Sequence, residues 1–232
     1  MNKIEINIKD LRKKFCEKLD SSGWLEILGP IIDSDEFEIV IYKLKNEVEN
    51  GRRFTPKIKD LFRAFEECPY DELKVIMIGQ DPYPQLGIAD GIAFSCSKTG
   101  KLQPSLRYIF KELNPNQWDS LDPDLKRWSN QGILMLNTAF TVQIGKIGSH
   151  YDIWKPITNM ILSSINENNK DIPTVLLGKK AEEWHLRLHN QIIFKVPHPA
   201  SAAYRGSKWD SKNIFQEINI ILNEQNKRLI FW

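Results

Sequence analysis

The sequence predicts an α/β protein, a three-layer α/β/α single domain around a small, mostly parallel four-stranded sheet. Four short apolar runs carry that expectation: "KVIMIG" (74–79), "GILMLN" (132–137), "TVLLG" (174–178) and "IIFKVP" (192–197). Each is rich in β-branched residues or Leu and is bounded by Gly, Asn or Pro, the form of strands buried on both faces. Longer stretches of helical period lie between them, and strand–helix alternation argues for a parallel sheet covered on both sides. The chain has 232 residues, of which 41% are hydrophobic. That length suits one large domain or two small ones, with ample core. The expectation is a single domain over 1–232.

The elements follow in order. About the first 70 residues read as mostly helical. "IKDLRKKFCEKL" and "FEIVIYKLKNEVENG" place apolar residues three and four apart, and the second run stops at Gly51. The first strand follows and ends at Gly79, before "QDPYP". "SLRYIFKELN" reads as a helix before the second strand, which ends at Asn137. "WKPITNMILSSINEN" reads as the helix before the third, which ends at Gly178. The fourth runs into "PHPASAAYRG", and "SKNIFQEINIILNEQN" closes the chain as a helix. In open α/β sheets ligands bind outside the carboxyl ends of the strands. Asp81, Tyr83, Asn137, Lys179 and His198 are thereby offered to one crevice.

Composition narrows the function. Lys plus Arg number 32 and Asp plus Glu 30, a net charge of +2. This balance does not announce a nucleic-acid binder, although a local patch fits within it. Cys16, Cys68 and Cys96 lie far apart without a C-x-x-C, which suits a reduced protein with neither disulfides nor cysteine-bound zinc. His185 and His189 are four apart, but no acidic ligand stands at metal spacing beside them, and the ordinary reading is a solvated helix face. The charged start "MNKIEINIKDLRKKF" has no export core, and no run approaches the roughly 18 apolar residues of a membrane span. The expected setting is cytoplasmic, or nuclear or host-cell for a eukaryotic or viral source.

"GQDPYP" (79–84), "GIAFS" (91–95), "LMLNTAFTV" (134–142), "LLGKKAEEW" (176–184) and "PHPASAAYRG" (197–206) resemble, in order and spacing, the motifs of family 1 uracil-DNA glycosylases. "QPSLRYIFKEL", "RWSNQGILMLN" and the terminal "KRLIFW" extend the resemblance from Trp24 to Trp232. It implies hydrolysis of the N-glycosidic bond of uracil in DNA, single- or double-stranded, by a monomer without cofactor or metal. It identifies no inhibitor or replication partner.

The residues make chemical sense of the resemblance. An enzyme acting on a stacked base must flip it into a pocket. Asp81 matches the family's catalytic acid, which steadies a sugar cation and orients water. His198 resembles the histidine that hydrogen-bonds O2 of the leaving uracil. Asn137 can accept from uracil N3–H and donate to O4, and cytosine reverses that pattern. Tyr83, stiffened by Pro82 and Pro84, walls off the C5 methyl of thymine. Phe94 is similar to the family's stacking residue, and Gln80 completes the uracil site. Pro84, Gln103, Pro104, Ser105, Gly178, Lys179, Pro199, Ala200, Ser201, Ala202, Tyr204 and Arg205 fall where the family touches DNA. Alone, Asn137 is an ordinary strand end, Phe94 a core ring and Lys179 a solvated charge. The five motifs in register change that weighting.

Three departures stand out. Pro84 replaces a His, which removes one phosphate or sugar contact. Lys179 replaces a Ser, which makes phosphate binding more salt-dependent. "HPASAAYRG" is one residue shorter than usual, with Ala202 near the place of the leucine that wedges into duplex. Weaker flipping from duplex and a relative preference for single strands follow. Three other readings stand beside the leading one: an enzyme for C5-modified uracil, a non-catalytic DNA-binding accessory protein, and a generic nucleotide-binding protein. The last lacks a Gly-rich phosphate loop.

Overall fold

The computed structural model describes residues 7–99 and 101–232, apart from the side chains of 203–205. Six strands are formed among the described residues: β1 (Phe54–Thr55), β2 (Val75–Gly79), β3 (Ile133–Asn137), β4 (Val142–Gln143), β5 (Pro173–Leu177) and β6 (Ile192–Val196). Ten α-helices lie among the described residues: α1 (Ile8–Ser21), α2 (Leu25–Ile32), α3 (Asp35–Glu49), α4 (Arg63–Glu66), α5 (Pro104–Leu113), α6 (Lys126–Ser129), α7 (Tyr151–Asn168), α8 (Lys179–Glu182), α9 (Ala200–Arg205) and α10 (Ile214–Glu224).

Local chemistry sets many boundaries. The Asn7 side chain caps α1 by accepting from Lys9 and Asp10 N–H, and Ser34 caps α3 by accepting from Phe37 N–H. Pro104 opens α5 at a position whose N–H would be unpaired anyway. β2 and β5 are buried along their whole length, and β3 is buried up to Asn137. β6 differs from the expectation of burial on both faces. It is an edge strand, half-buried with Lys195 exposed, and an exposed lysine is a common guard on an unpaired edge.

The sheet runs β3-β2-β5-β6, and every pairing in it is parallel. The short antiparallel ribbon β1–β4, which the sequence reading did not foresee, stands apart from it. Register aligns Gly79 with Asn137, Ile78 with Leu176, and Leu177 with Val196. All four strands therefore finish on one edge. In chain order the sheet reads 2-1-3-4. With right-handed crossovers, the connection leaving β2 runs over one face and the connection leaving β5 over the other. The two depart in opposite directions at neighbouring strand ends, which opens a crevice between them. One continuous hydrophobic core from Phe15 to Ile230 backs the sheet. Among the described residues no helix is long and apolar enough to cross a membrane.

Candidate active site

A cleft of about 470 Å³ opens at this carboxyl edge, a size suited to a small ligand. It is lined by Gln80, Asp81, Tyr83, Phe94, Asn137 and His198, together with Pro84, Gln103, Pro104, Ser105, Ala200 and Ser201. Pro82, expected only as a stiffener of Tyr83, also lines it, as do Gln85 and Ile147, which were not anticipated.

The loop after β2 is knitted to the loop after β3. Thr138 Oγ1 donates to the Gln80 carbonyl at 2.6 Å, and the N–H groups of Thr138 and Ala139 donate to Gly79 and Gln80 carbonyls. Gly79 is needed because a Cβ there would lie 2.7 Å from Asn137 Oδ1 and 3.1 Å from the Phe94 ring. The amide and the ring thus meet over bare backbone. Among the described residues the Asn137 side chain has no protein hydrogen-bond partner, so both ends of its amide remain available to a ligand edge.

Phe94 sits at φ 65°, the left-handed region rarely used by an aromatic residue. A buried carboxylate enforces it. Asp90, fully buried, accepts from Ile92 N–H (3.2 Å), Ser95 Oγ (2.6 Å), and Ser97 N–H and Oγ (3.0 and 2.6 Å). Arg63 Nη1 pairs with it at 2.9 Å, while Arg63 Nη2 grips Asp124 at 2.9 and 3.1 Å. The Tyr83 hydroxyl donates to the Phe94 carbonyl at 3.0 Å, which fixes the two rings relative to each other. Burial pushes the Tyr83 hydroxyl well above its ordinary pKa, so it remains a donor. Behind Tyr83, Phe94 and Asn137 there is only a chamber of about 20 Å³, room for a water and not for a larger substituent.

Asp81 is partly buried. Its Oδ2 accepts from Gly148 N–H at 2.7 Å and its Oδ1 from Gln80 Nε2 at 3.3 Å. Burial raises its pKa, and the bonds from Gly148 N–H and Gln80 Nε2, together with the neighbouring Tyr151 hydroxyl, oppose that rise. His198 faces the same cleft, its ring centre 5.6 Å from that of Phe94. Its Nδ1 accepts from Ala200 N–H at 3.2 Å, which leaves the ring proton on Nε2. Burial lowers its pKa to about 4. At neutral pH this imidazole is therefore an uncharged donor through Nε2. Gly178, at φ 88°, gives it room, because a Cβ there would come within 2.7 Å of His198 Cβ.

The expected DNA-contacting residues divide. Gln103, Pro104 and Ser105 form the start of α5 at the cleft rim, and Ala200 and Ser201 start α9 there. Lys179 is exposed at the start of α8, outside the cleft lining. Gly178, Pro199 and Ala202 are buried. The Pro199 and Ala202 side chains are buried and Ala202 joins the core, so a DNA contact at these two positions would be made by backbone atoms. The side chains of Tyr204 and Arg205 lie outside the described residues. Asp90, Arg63, Gly148 and Tyr151 went unnoticed in the sequence. Asp90 alone left a trace, a single acid within the otherwise apolar and small "GIADGIAFS". Among the described residues no group of three or more His, Cys, Asp or Glu is placed to hold a metal ion.

An aromatic face, a free amide, a neutral imidazole and a carboxylate at the edge of a parallel sheet define an α/β site for a flat heterocycle read along its polar edge. Comparison with known proteins gives this class its family. Residues 65–223 match the family model described as the uracil DNA glycosylase superfamily. The chain is 38% identical over 202 residues to the uracil-DNA glycosylase of Mesomycoplasma hyopneumoniae, covering 84% of this chain and 90% of that protein. It is 33% identical over 219 residues to that of Coxiella burnetii strain RSA 493, covering 92% and 95%. The crystal structure of mimivirus uracil-DNA glycosylase superposes with a TM-score of 0.80 at 24% identity, covering 98% of this chain and 90% of that one. The chain belongs to the uracil-DNA glycosylase superfamily.

Proposed function

We propose that this protein is a uracil-DNA glycosylase that flips uracil out of DNA and hydrolyses its N-glycosidic bond, leaving an abasic site for base-excision repair. The observation that carries this reading is the meeting of Asp81, Tyr83, Phe94, Asn137 and His198 in one cleft, with His198 neutral and its proton on Nε2.

The steps follow from the groups. Uracil stacks on Phe94 with C5 against Tyr83, where a methyl group meets a fixed ring. Asn137 Oδ1 accepts from N3–H and Nδ2 donates to O4. Cytosine leaves these groups mismatched, at a cost of about 1–3 kcal/mol for each buried unpaired group. As the C1′–N1 bond breaks, its electron pair leaves with uracil, and His198 Nε2–H hydrogen-bonds the charge growing on O2. The Asp81 carboxylate steadies the cationic sugar and orients a water whose oxygen bonds C1′, with the water proton passing to the carboxylate or solvent. No metal or cofactor enters this scheme. The start of α5 holds a phosphate through its backbone N–H groups and the Ser201 hydroxyl of α9 faces the same rim, contacts that position the strand without reading sequence. The enzyme acts as a monomer on single- and double-stranded DNA.

Uracil release from matched single- and double-stranded oligonucleotides tests this, with wild type beside Asp81→Asn and with thymine and cytosine substrates as controls. Wild type releases uracil alone, and Asp81→Asn slows release by roughly 10²-fold or more, the scale of a lost acid–base group. Tight DNA binding without release, unchanged in Asp81→Asn, would instead establish an accessory protein.

A further inference from the structure

Tyr151, the first residue of α7, lies outside the cleft lining and lines a separate pocket of about 290 Å³. Its hydroxyl is buried and, among the described residues, makes no direct hydrogen bond. Burial of an unpaired hydroxyl is unfavourable, so a group in this state calls for a function or a bridging water. Its neighbours are the Asp81 carboxylate and the Gln80 amide. The ring rests on Gly148, where a Cβ would lie 2.9 Å from Tyr151 Cε2, and Gly148 N–H is the donor that holds Asp81 Oδ2. One side chain thus packs on the turn that grips Asp81 and keeps its hydroxyl close enough to influence the carboxylate.

We propose that Tyr151 is a positioning residue for Asp81, its hydroxyl hydrogen-bonding the carboxylate directly or through one water on the side away from the cleft. This rests on the assignment of Asp81 as the water-orienting group. The carboxylate has two donors already, one of them at a long 3.3 Å, and a carboxylate accepts about four. A third donor favours the ionised form and counters the upward push of burial. It also restrains rotation of the carboxylate about the Gly148 contact. Burial and the nearby Asp81 charge raise the Tyr151 hydroxyl above the normal tyrosine range, so it stays protonated and able to donate.

Other ionisable groups surround the pair. His198 stands across the cleft. The Glu47–His150 pair, at 3.1 Å, lies two residues beyond Gly148. Asp152, Lys155, Lys180 and Glu183 line the pocket on the Tyr151 side, with Lys180 Nζ 5.6 Å from the Tyr151 ring centre. None of them changes when one oxygen is removed, so Tyr151→Phe isolates the hydroxyl.

The test is an NMR titration of the ¹³C-labelled Asp81 carboxyl in wild type and Tyr151→Phe, its signal assigned by loss in Asp81→Asn. Asp81 is expected to titrate about 0.5–1 pH unit higher in Tyr151→Phe. The acid limb of kcat/KM moves the same way, so activity well below that limb falls about 3- to 10-fold, while KM for DNA and inhibition by free uracil stay the same. Superimposable titrations would overturn the inference. Because the titration needs no turnover, it remains decisive even if wild type released no uracil, an outcome that would sink the glycosylase reading separately.

Discussion

His198 shows how much a single residue's surroundings decide. Its lowered pKa of about 4 means that it contributes no charge to the site at neutral pH. The same burial links it to stability. Between its ordinary value of 6.5 and about 4, the unfolded chain binds a proton that the folded chain refuses. Stability is therefore full above pH 6.5 and is lost as pH falls towards 4. The loss from this residue approaches roughly 3 kcal/mol. Urea unfolding at pH 7.5 and 4.5 checks it: wild type loses more stability on acidification than His198→Leu, by roughly 2–3 kcal/mol. The variant also cuts the rate of bond cleavage more than DNA affinity, since the lost donor acts on the leaving group. Equal acid sensitivity in the two proteins would mean that His198 is solvated. The sequence placed His198 beside the site, because "PHP" follows a strand. It could not supply the tautomer, which depends on Ala200 N–H meeting Nδ1.

At the scale of elements, the strands were the legible part, and all four expected runs became strands with ends shifted by a residue or so. A short apolar run bounded by Gly, Asn or Pro has few alternatives when both its faces are buried. The ribbon was illegible for the opposite reason. β1 and β4 hold two residues each and carry no periodicity. The clamp on the Phe94 turn was equally hidden, since Arg63 begins α4 while Asp90 lies in the loop after β2, and only folding brings their charges together. That clamp carries its own prediction. Arg63→Met leaves the fully buried Asp90 carboxylate without its cation and should cost about 3–5 kcal/mol, read by urea unfolding. The surviving fold should bind free uracil more weakly, as the Phe94 turn relaxes from its left-handed geometry. A loss of stability with unchanged uracil inhibition would make the clamp purely structural.

At the scale of the molecule, the small net charge leaves DNA binding to local geometry rather than to a general positive field. The grip expected from the cleft rim is the backbone N–H groups at the start of α5 with small side chains from α5 and α9, and exposed Lys179 is set apart from them. The sequence expectation that the shortened loop lacks a leucine wedge puts the work of unstacking a duplex on the pocket itself. Double-stranded substrate then pays for unstacking and unpairing, a few kcal/mol that a single strand largely avoids. The preference should appear as roughly 10-fold or greater kcat/KM on single strands at low salt, and the advantage should shrink when uracil faces guanine, a weaker pair. Ala202→Leu is the natural attempt to supply a wedge. Because Ala202 is buried, the added side chain enters the core and costs about 1–3 kcal/mol without restoring duplex activity. Matched kinetics on the three substrates, with thermal unfolding of the variant, separate the cases. Equal rates on single strand and duplex would show that another rim group, such as the exposed Ile147 that lines the cleft, supplies the apolar contact.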